Sequence, residues 1–443
     1  MAGNARRAPP EHCDALSNER QSEPMDAHTL ECLDFARVRE LLADHASCAL
    51  GRALAMRIEP VGRIELIRRW HAQVRELQRL AEDRGLPPFG GIRDVRETVE
   101  RCAPPLQVTA EDLAAVRETL TGAAAVSRYL RDLPDDFSEL RRLSERIGDF
   151  TTLAERIRGV IDERGQVRDD ASPKLARVRS EIAQARRSIR ESVERLLHRP
   201  DVRRLLQFPN YTYVNDRIVL PLRTECRGRL PGIIHSGSGS GATLFVEPSE
   251  AVELNNRIAD LRSQETEEIT RLLWALAHEV YVNAKPIVAT LDALAVLDLD
   301  VAKVRFAQAF DARCPEMCEE AVLSVRAARH PLLVDLHRRR AREGETPEPV
   351  VPIDFRIGDD FDLLIITGPN TGGKTIALKT IGLLILMAQS GLPVPVDEGA
   401  RFGVFKRVLI DIGDEQSMQQ SLSTFSAHLT RQLDMLQKAG PRN

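Results

Sequence analysis

The residues Gly368-Pro369-Asn370-Thr371-Gly372-Gly373-Lys374-Thr375 constrain this chain more than any others. An apolar run, Leu363-Leu364-Ile365-Ile366, precedes them, and a helix-like segment from Ile376 to Gln389 follows. A strand, a glycine-rich loop and a helix in that order form a cradle for phosphate. Glycines at 368, 372 and 373 let backbone amides converge on phosphate oxygens with no Cβ in the way. Lys374 sets a point charge against the β and γ phosphates, and Thr375 offers a hydroxyl to the Mg²⁺ that bridges them. All eight residues are candidate contacts for ATP, and Thr375 is the candidate metal ligand. A glycine-rich turn that binds nothing could carry the same letters, but the flanking strand and helix patterns argue against it.

Turnover asks for more than binding. A phosphate loop of this kind works with an acidic residue at the end of a later strand, which holds the metal and its water. Asp411 follows the apolar Val408-Leu409-Ile410 and is the catalytic candidate, with Asp414 and Glu415 behind it. An edge-strand aspartate is the competing reading. The chain leaves room for few strands after this point, so the nucleotide-binding sheet reads as incomplete.

Composition bounds the rest. The 443 residues allow several domains with sizeable cores. Aromatics are only 4 %, so the core must be Leu, Val, Ile and Ala, which suits packed helices. The formal net charge of −4 gives no global attraction to nucleic acid, so any such contact needs a local basic surface. The seven cysteines show no framework spacing, which points to reduced thiols in a cytoplasmic protein. Cys314 and Cys318, with His330 and His337 downstream, invite a metal reading, but no second pair with ligand spacing accompanies them. No stretch reaches the ~20 apolar residues that span a bilayer. Residues 1–28 mix charges without an apolar segment and read as a disordered leader.

The expected fold class is mixed α and α/β. A mainly helical core and lever region over 29–336 carries long helical arms and a small β-rich insert, with arm and insert at about 172–283. Residues 337–349, with Arg338-Arg339-Arg340, form a surface loop or linker, and 350–443 form a partial α/β ATPase domain. Within the helical region, Ser47 is a candidate cap for a short helix from Cys48. Thr109 and Asp112 resemble a capping box. Ser172 caps a helix in which Leu175, Val178, Ile182, Ile189, Val193 and Leu196 keep near-heptad spacing, as in one arm of an antiparallel coiled coil. Phe208 to Val246 is β-rich, with a flexible Gly-Ser tip at 236–241. Helices return over Ser249–Asn283 and Lys285–Phe310. Val350 to Phe355, Asp362 to Thr367 and Val408 to Ile410 read as strands.

Several stretches together resemble one family. Thr367 to Thr375, with Pro-Asn after the first glycine, is similar to the phosphate loop of MutS-type ATPases. Asp411-Ile412-Gly413-Asp414-Glu415-Gln416-Ser417, Leu422-Ser423-Thr424-Phe425-Ser426 and Leu378-Lys379-Thr380 resemble its bacterial MutS-two branch. Thr243 to Pro248, Asn255-Asn256-Arg257 and Ala328 to Leu333 fit the same branch. The resemblance implies an ATP- and Mg²⁺-using, DNA-dependent hydrolase built from core, levers, clamp and ATPase domain. It implies action on branched or mismatched DNA, suppressing recombination, or on stalled ribosomes and their rRNA. It implies a cytoplasmic homodimer in the full-length form, away from membranes. The family's Walker B acid, later coiled coil and small MutS-related endonuclease domain find no counterpart here, so the chain reads as a truncated member. A catalytically inactive nucleotide-binding fragment and a nucleotide-gated structural arm are the alternatives.

The candidate nucleic-acid contacts are Arg186, Arg187, Arg190, Arg217, Arg223, Arg227 and Arg229. Between Lys174 and Arg204, one Lys and nine Arg oppose three Glu and one Asp, a net of +6. Cations at an arm's tip are what phosphate-backbone binding needs, although a solvated helix face has the same composition.

Overall fold

The heptad-like stretch after Ser172 does become one long helix, Pro173–His198. The Ser172 hydroxyl accepts the Leu175 amide at 3.1 Å, and Pro173 occupies the first turn, where its missing N–H costs nothing. The computed structural model describes residues 25–440 except 106, 240, 370, 371 and 413–420, and in the helix Ser421–Lys438 it leaves the side chains of 421–428 undescribed. It is a mixed α/β chain, mainly helical, with two four-stranded sheets. Most of the 1–28 leader, Cys13, Ser240 and the Asp414-Glu415 stretch lie outside the described residues. Among the described residues no helix is long and apolar enough to cross a membrane.

The chain divides into two compact units. One comprises residues 95–121 and 150–285, and the insert predicted at 172–283 falls wholly within it. Here the helix Pro173–His198 packs antiparallel against Ser249–Val282: Ser172 meets Glu268, Arg179 meets Glu265, and Ile182 meets Leu261. The seam is apolar because the heptad positions Leu175, Val178, Ile182, Ile189, Val193 and Leu196 are all buried. Between these helices the chain folds β1 (Thr212–Val214), β2 (Arg217–Arg223), β3 (Gly232–Gly237) and β4 (Thr243–Pro248) into an antiparallel sheet of order β1-β2-β4-β3. Ile218, Leu220, Leu222 and Val246 pack with Ile189, Val193 and Ile258, so the sheet is seated on the helix pair. The box at Thr109 is real: Thr109 Oγ1 accepts the Asp112 amide, and the Asp112 carboxylate accepts the Thr109 amide at 3.0 Å.

Glu268 anchors the end of the helix pair. Its buried carboxylate accepts the Ser172 hydroxyl at 2.9 Å and the guanidinium of Arg271, with Lys174 3.4 Å away. The Arg271 hydrogen bond, first among several, holds its pKa well below the usual carboxylate range, at about 2. A depressed acid stabilises the fold above its unfolded value, here 4.5, and that contribution drains away as pH falls toward 2. Glu268→Gln should therefore lower the urea midpoint at pH 7, and the gap to the parent should narrow by pH 3. A gap independent of pH would show that the charge does not matter.

The second unit takes residues up to 94, 122–149 and those from 286 onward. Its sheet has the order β5-β8-β6-β7, from β5 (Glu316–Cys318), β6 (Leu323–Ala328), β7 (Ile353–Ile357) and β8 (Arg401–Gly403). Phe35, Phe306, Phe402, Leu383, Leu386 and Met387 are central to its core. Two buried carboxylates act there as remote helix caps. Asp298 accepts the amides of Ser47 and Cys48 at 2.8 and 2.9 Å, ahead of the helix Ala49–Ala55. Glu76 accepts those of Glu139 and Leu140 at the start of Ser138–Ser144. The Ser47 side chain does not cap its helix: the N-cap residue is Cys48, and Asp298 takes the amides.

Four further expectations need correction. Asp362–Thr367 forms no strand, and Leu363 and Ile365 are 75 % and 74 % exposed. Apolar sequence alone does not make a strand; a ladder partner does, and no described strand pairs with these residues. Val408–Ile410 forms no strand either, and is held by a residue far off in the chain: the Thr29 hydroxyl donates to the Val408 carbonyl at 2.8 Å. Arg338-Arg339-Arg340 lie not in a linker but on the helix Pro331–Arg342, where Arg339 pairs with Asp335 one turn back. The strand expected at Val350–Phe355 begins later, as β7 on the edge beside β6.

Candidate nucleotide and nucleic-acid sites

The glycine-rich loop leads into the helix Lys374–Gln389, and Gly373 is its N-cap in the left-handed conformation, φ 76°. A side chain would be strained there, which explains the glycine. At Gly372 an added Cβ would stand 3.1 Å from the Pro369 carbonyl. Ile376 and Leu378 near the N-terminus of the helix are exposed, while Thr380–Gln389 are buried. The apolar C-terminal part thus fixes the helix in the core and leaves its positive end at the surface. Lys374 Nζ donates to the carbonyls of Gly368 and Pro369 at 2.6 and 2.7 Å, and Thr375 is exposed. The ammonium therefore rests on the oxygens of its own loop. Asn370 and Thr371 lie outside the described residues.

Two residues that the loop pattern could not reveal lie along the same helix. Lys379 pairs with Asp34 at 3.2 Å, and buried His330 feels both charges. Burial pushes the His330 imidazole down to about 4, so it is neutral at pH 7. Only spatial proximity joins Asp34, His330 and Lys379.

Asp411, the candidate catalytic acid, lies beyond the unpaired 408–410 segment. Its carboxylate is 3.6 Å from the Arg431 guanidinium and accepts the Gln432 amide at 3.4 Å. That placement ties it to the helix Ser421–Lys438. Burial pushes the Cys314 thiol up to about 11 and keeps it protonated at neutral pH. Among the described residues no three His, Cys, Asp or Glu side chains gather as metal ligands.

The arginines of the arm and insert fall into three groups. Arg186, Arg187, Arg190, Arg227 and Arg229 are exposed, with no side-chain partner among the described residues. Arg217 is spent internally. It donates to buried Glu247 at 2.9 Å and to Asn256 at 2.7 Å. Burial opposes ionisation of Glu247, but hydrogen bonds from Asn255, His235 and Arg217 outweigh it and hold the acid below its ordinary range. Arg223 is exposed but partly engaged: its Nε donates to the Leu206 carbonyl at 3.2 Å, and Glu225 lies 3.9 Å away. Exposed Arg203 and Arg204 also have no side-chain partner among the described residues and were not among the expected contacts.

The family description "MutS domain V" matches residues 364–443, which include the loop. Endonuclease MutS2 of Pelotomaculum thermopropionicum is 40 % identical over 417 residues, covering 94 % of this chain and 52 % of the relative. Its counterpart in Symbiobacterium thermophilum is 40 % identical over 412 residues, covering 93 % and 50 %. That of Bacillus cytotoxicus is 37 % identical over 414 residues, covering 93 % and 51 %. The chain thus spans about half the length of the curated relatives it matches. With similarity running from the helical region through the phosphate loop, the chain belongs to the MutS family, in its MutS2 branch.

Proposed function

We propose that this chain binds Mg²⁺–ATP at residues 368–375 and holds nucleic acid against its helical arm and β insert. The observation that carries the nucleotide reading is the left-handed turn at Gly373 into a helix whose positive end is exposed and whose far end is locked in the core. Backbone amides of the loop, Lys374 and the Thr375 hydroxyl would hold the phosphates and their metal. The partnerless arginines carry the nucleic-acid reading, and the names of the relatives agree with it. In this reading the targets are branched or mismatched DNA, with suppression of recombination, or stalled ribosomes through rRNA. The full-length form works as a homodimer with a lever and clamp arrangement. Recognition is by structure and charge, since these arginines lie where phosphates can meet them.

Binding without turnover is favoured for these 443 residues by one observation. Asp411 is engaged by Arg431 and Gln432, and 408–410 make no strand that would aim it at a phosphate. Calorimetry with Mg²⁺–ATP beside a phosphate-release assay tests both readings. The expected result is saturable binding with negligible release. No binding overturns the site assignment, and rapid release overturns the inactive reading. For nucleic acid, raising salt from about 50 to about 200 mM should weaken binding by orders of magnitude if several phosphates are engaged. A salt-independent affinity in an anisotropy titration would count against the basic arm.

A further inference from the structure

Aromatic side chains are scarce in this chain, and most are at least partly buried. Among the described residues four are exposed, Phe208, Tyr213, Trp274 and Tyr281, and all four belong to the unit that carries the insert. Two of them flank one edge of its sheet. Leu206 bridges Leu222 and Thr212 pairs with Val219, so the segment from 206 to 214 runs along the side of β2 that faces away from β4. Phe208 and Tyr213 stand on that edge, 54 % and 58 % exposed. Neither is needed to fill the core beneath, where Val202, Leu206, Ile218, Leu222, Cys226 and Leu230 already pack together.

Cations gather at the Leu206 end of that edge, where the Arg223 amide donates to the Leu205 carbonyl. Val202 and Leu206 share their cluster with Cys226 and Leu230, which brings the segments bearing Arg203, Arg204, Arg227 and Arg229 over one patch of core. All four guanidiniums are exposed and have no side-chain partner among the described residues. The nearby acids are occupied or marginal: Asp201 is paired with Arg199 at 2.7 Å, and Glu225 lies 3.9 Å from Arg223. Flat apolar rings beside free guanidiniums complement a strand that offers phosphates and unstacked bases together. A fully paired duplex offers phosphates only, since its base faces are covered.

We infer that Phe208 and Tyr213 stack on unpaired bases of a bound nucleic acid, while Arg203, Arg204, Arg227 and Arg229 hold the adjoining phosphates. The inference rests on the nucleic-acid reading above and adds to it a preference for junctions that expose single-stranded bases. It names a recognition element that charge alone would not provide.

The test uses the full chain, fluorescein-labelled forked and blunt duplexes of the same sequence in DNA and RNA, and anisotropy at low salt. Phe208→Leu with Tyr213→Leu keeps apolar bulk and removes the rings. On forks this double variant should lose roughly tenfold or more in affinity, and on blunt duplexes less than about twofold. The salt slope should stay unchanged. Phe208→Tyr should retain binding. The double variant Arg203→Ala with Arg204→Ala should weaken both substrates alike and flatten the slope. A 2-aminopurine placed in the unpaired arm should change its emission with the parent chain and not with the Leu variant. Both leucines replace exposed rings, and thermal melting confirms the fold. Equal losses on fork and blunt duplex, or none on either, overturn the stacking assignment and leave backbone binding standing. Failure of the parent chain to bind any of the four substrates overturns the nucleic-acid reading as well. A preference for the DNA or the RNA fork tells the two sources of unpaired bases apart, and either supports stacking.

Discussion

Replacing Lys374 by Ala is expected to weaken Mg²⁺–ATP binding at least about 100-fold, or about 3 kcal/mol, with little change in thermal midpoint. The size follows from what the ammonium does in each state. Without nucleotide it donates to the carbonyls of Gly368 and Pro369, at the surface of a loop that no described strand supports. Bonds of that kind in water stabilise a fold by well under 1–2 kcal/mol each. With nucleotide it would exchange neutral carbonyls for phosphate oxygens, and a charge-assisted contact between two ions is about twice as strong. The loss therefore falls on binding and not on folding. Lys374→Arg tests the geometry, since a planar guanidinium does not reproduce a compact ammonium and should also bind poorly. Calorimetry on the parent and both variants decides it. Unchanged affinity in Lys374→Ala would place the nucleotide elsewhere.

What the sequence disclosed depends on how locally each feature is determined. The helix Pro173–His198 was legible because its cap, its proline and its heptad seam all lie within one stretch of chain. The Thr109–Asp112 box was legible for the same reason. The glycine-rich loop could be read as letters, and Gly373 lies in the left-handed region, where a side chain would be strained. Features decided by distant residues were not legible. A strand at 362–367 requires a neighbour to complete its ladder, and composition cannot say whether one arrives. Arg217 looks like its exposed neighbours in sequence, but Glu247, thirty residues on, withdraws it from solvent. His330 and Asp34 show no sequence relation to the helix Lys374–Gln389, yet they stand beside it through Lys379. Phe208 and Tyr213 were read as β-rich sequence, and only the exposure of their rings marks them as available.

The cap on the helix Ala49–Ala55 supplies the largest expected effect on stability, and one whose sign can be checked by a mutant cycle. Asp298 is fully buried, and its two carboxylate oxygens accept the Ser47 amide, the Cys48 amide and the Cys48 thiol, the last at 3.1 Å. Asp298→Ala leaves two amides without acceptors and opens a small void, at a combined cost of about 3–5 kcal/mol. Gly51 lies over this carboxylate: a Cβ there would come within 2.3 Å of Asp298 Oδ2. Gly51→Ala in the parent chain should therefore destabilise by about 1–3 kcal/mol through overpacking. That outcome reverses the usual gain of up to ~1 kcal/mol when alanine replaces glycine in a helix. With Asp298 already cut back to alanine, the obstructing atoms are gone, and the added methyl enters the space they left. In that background Gly51→Ala should cost nothing or stabilise. The coupling between the two sites is then favourable by about 1–3 kcal/mol, as expected for residues in direct contact. Urea denaturation of the four chains measures it. Strict additivity would mean that the carboxylate does not sit over Gly51, and the remote cap would lose its geometric basis.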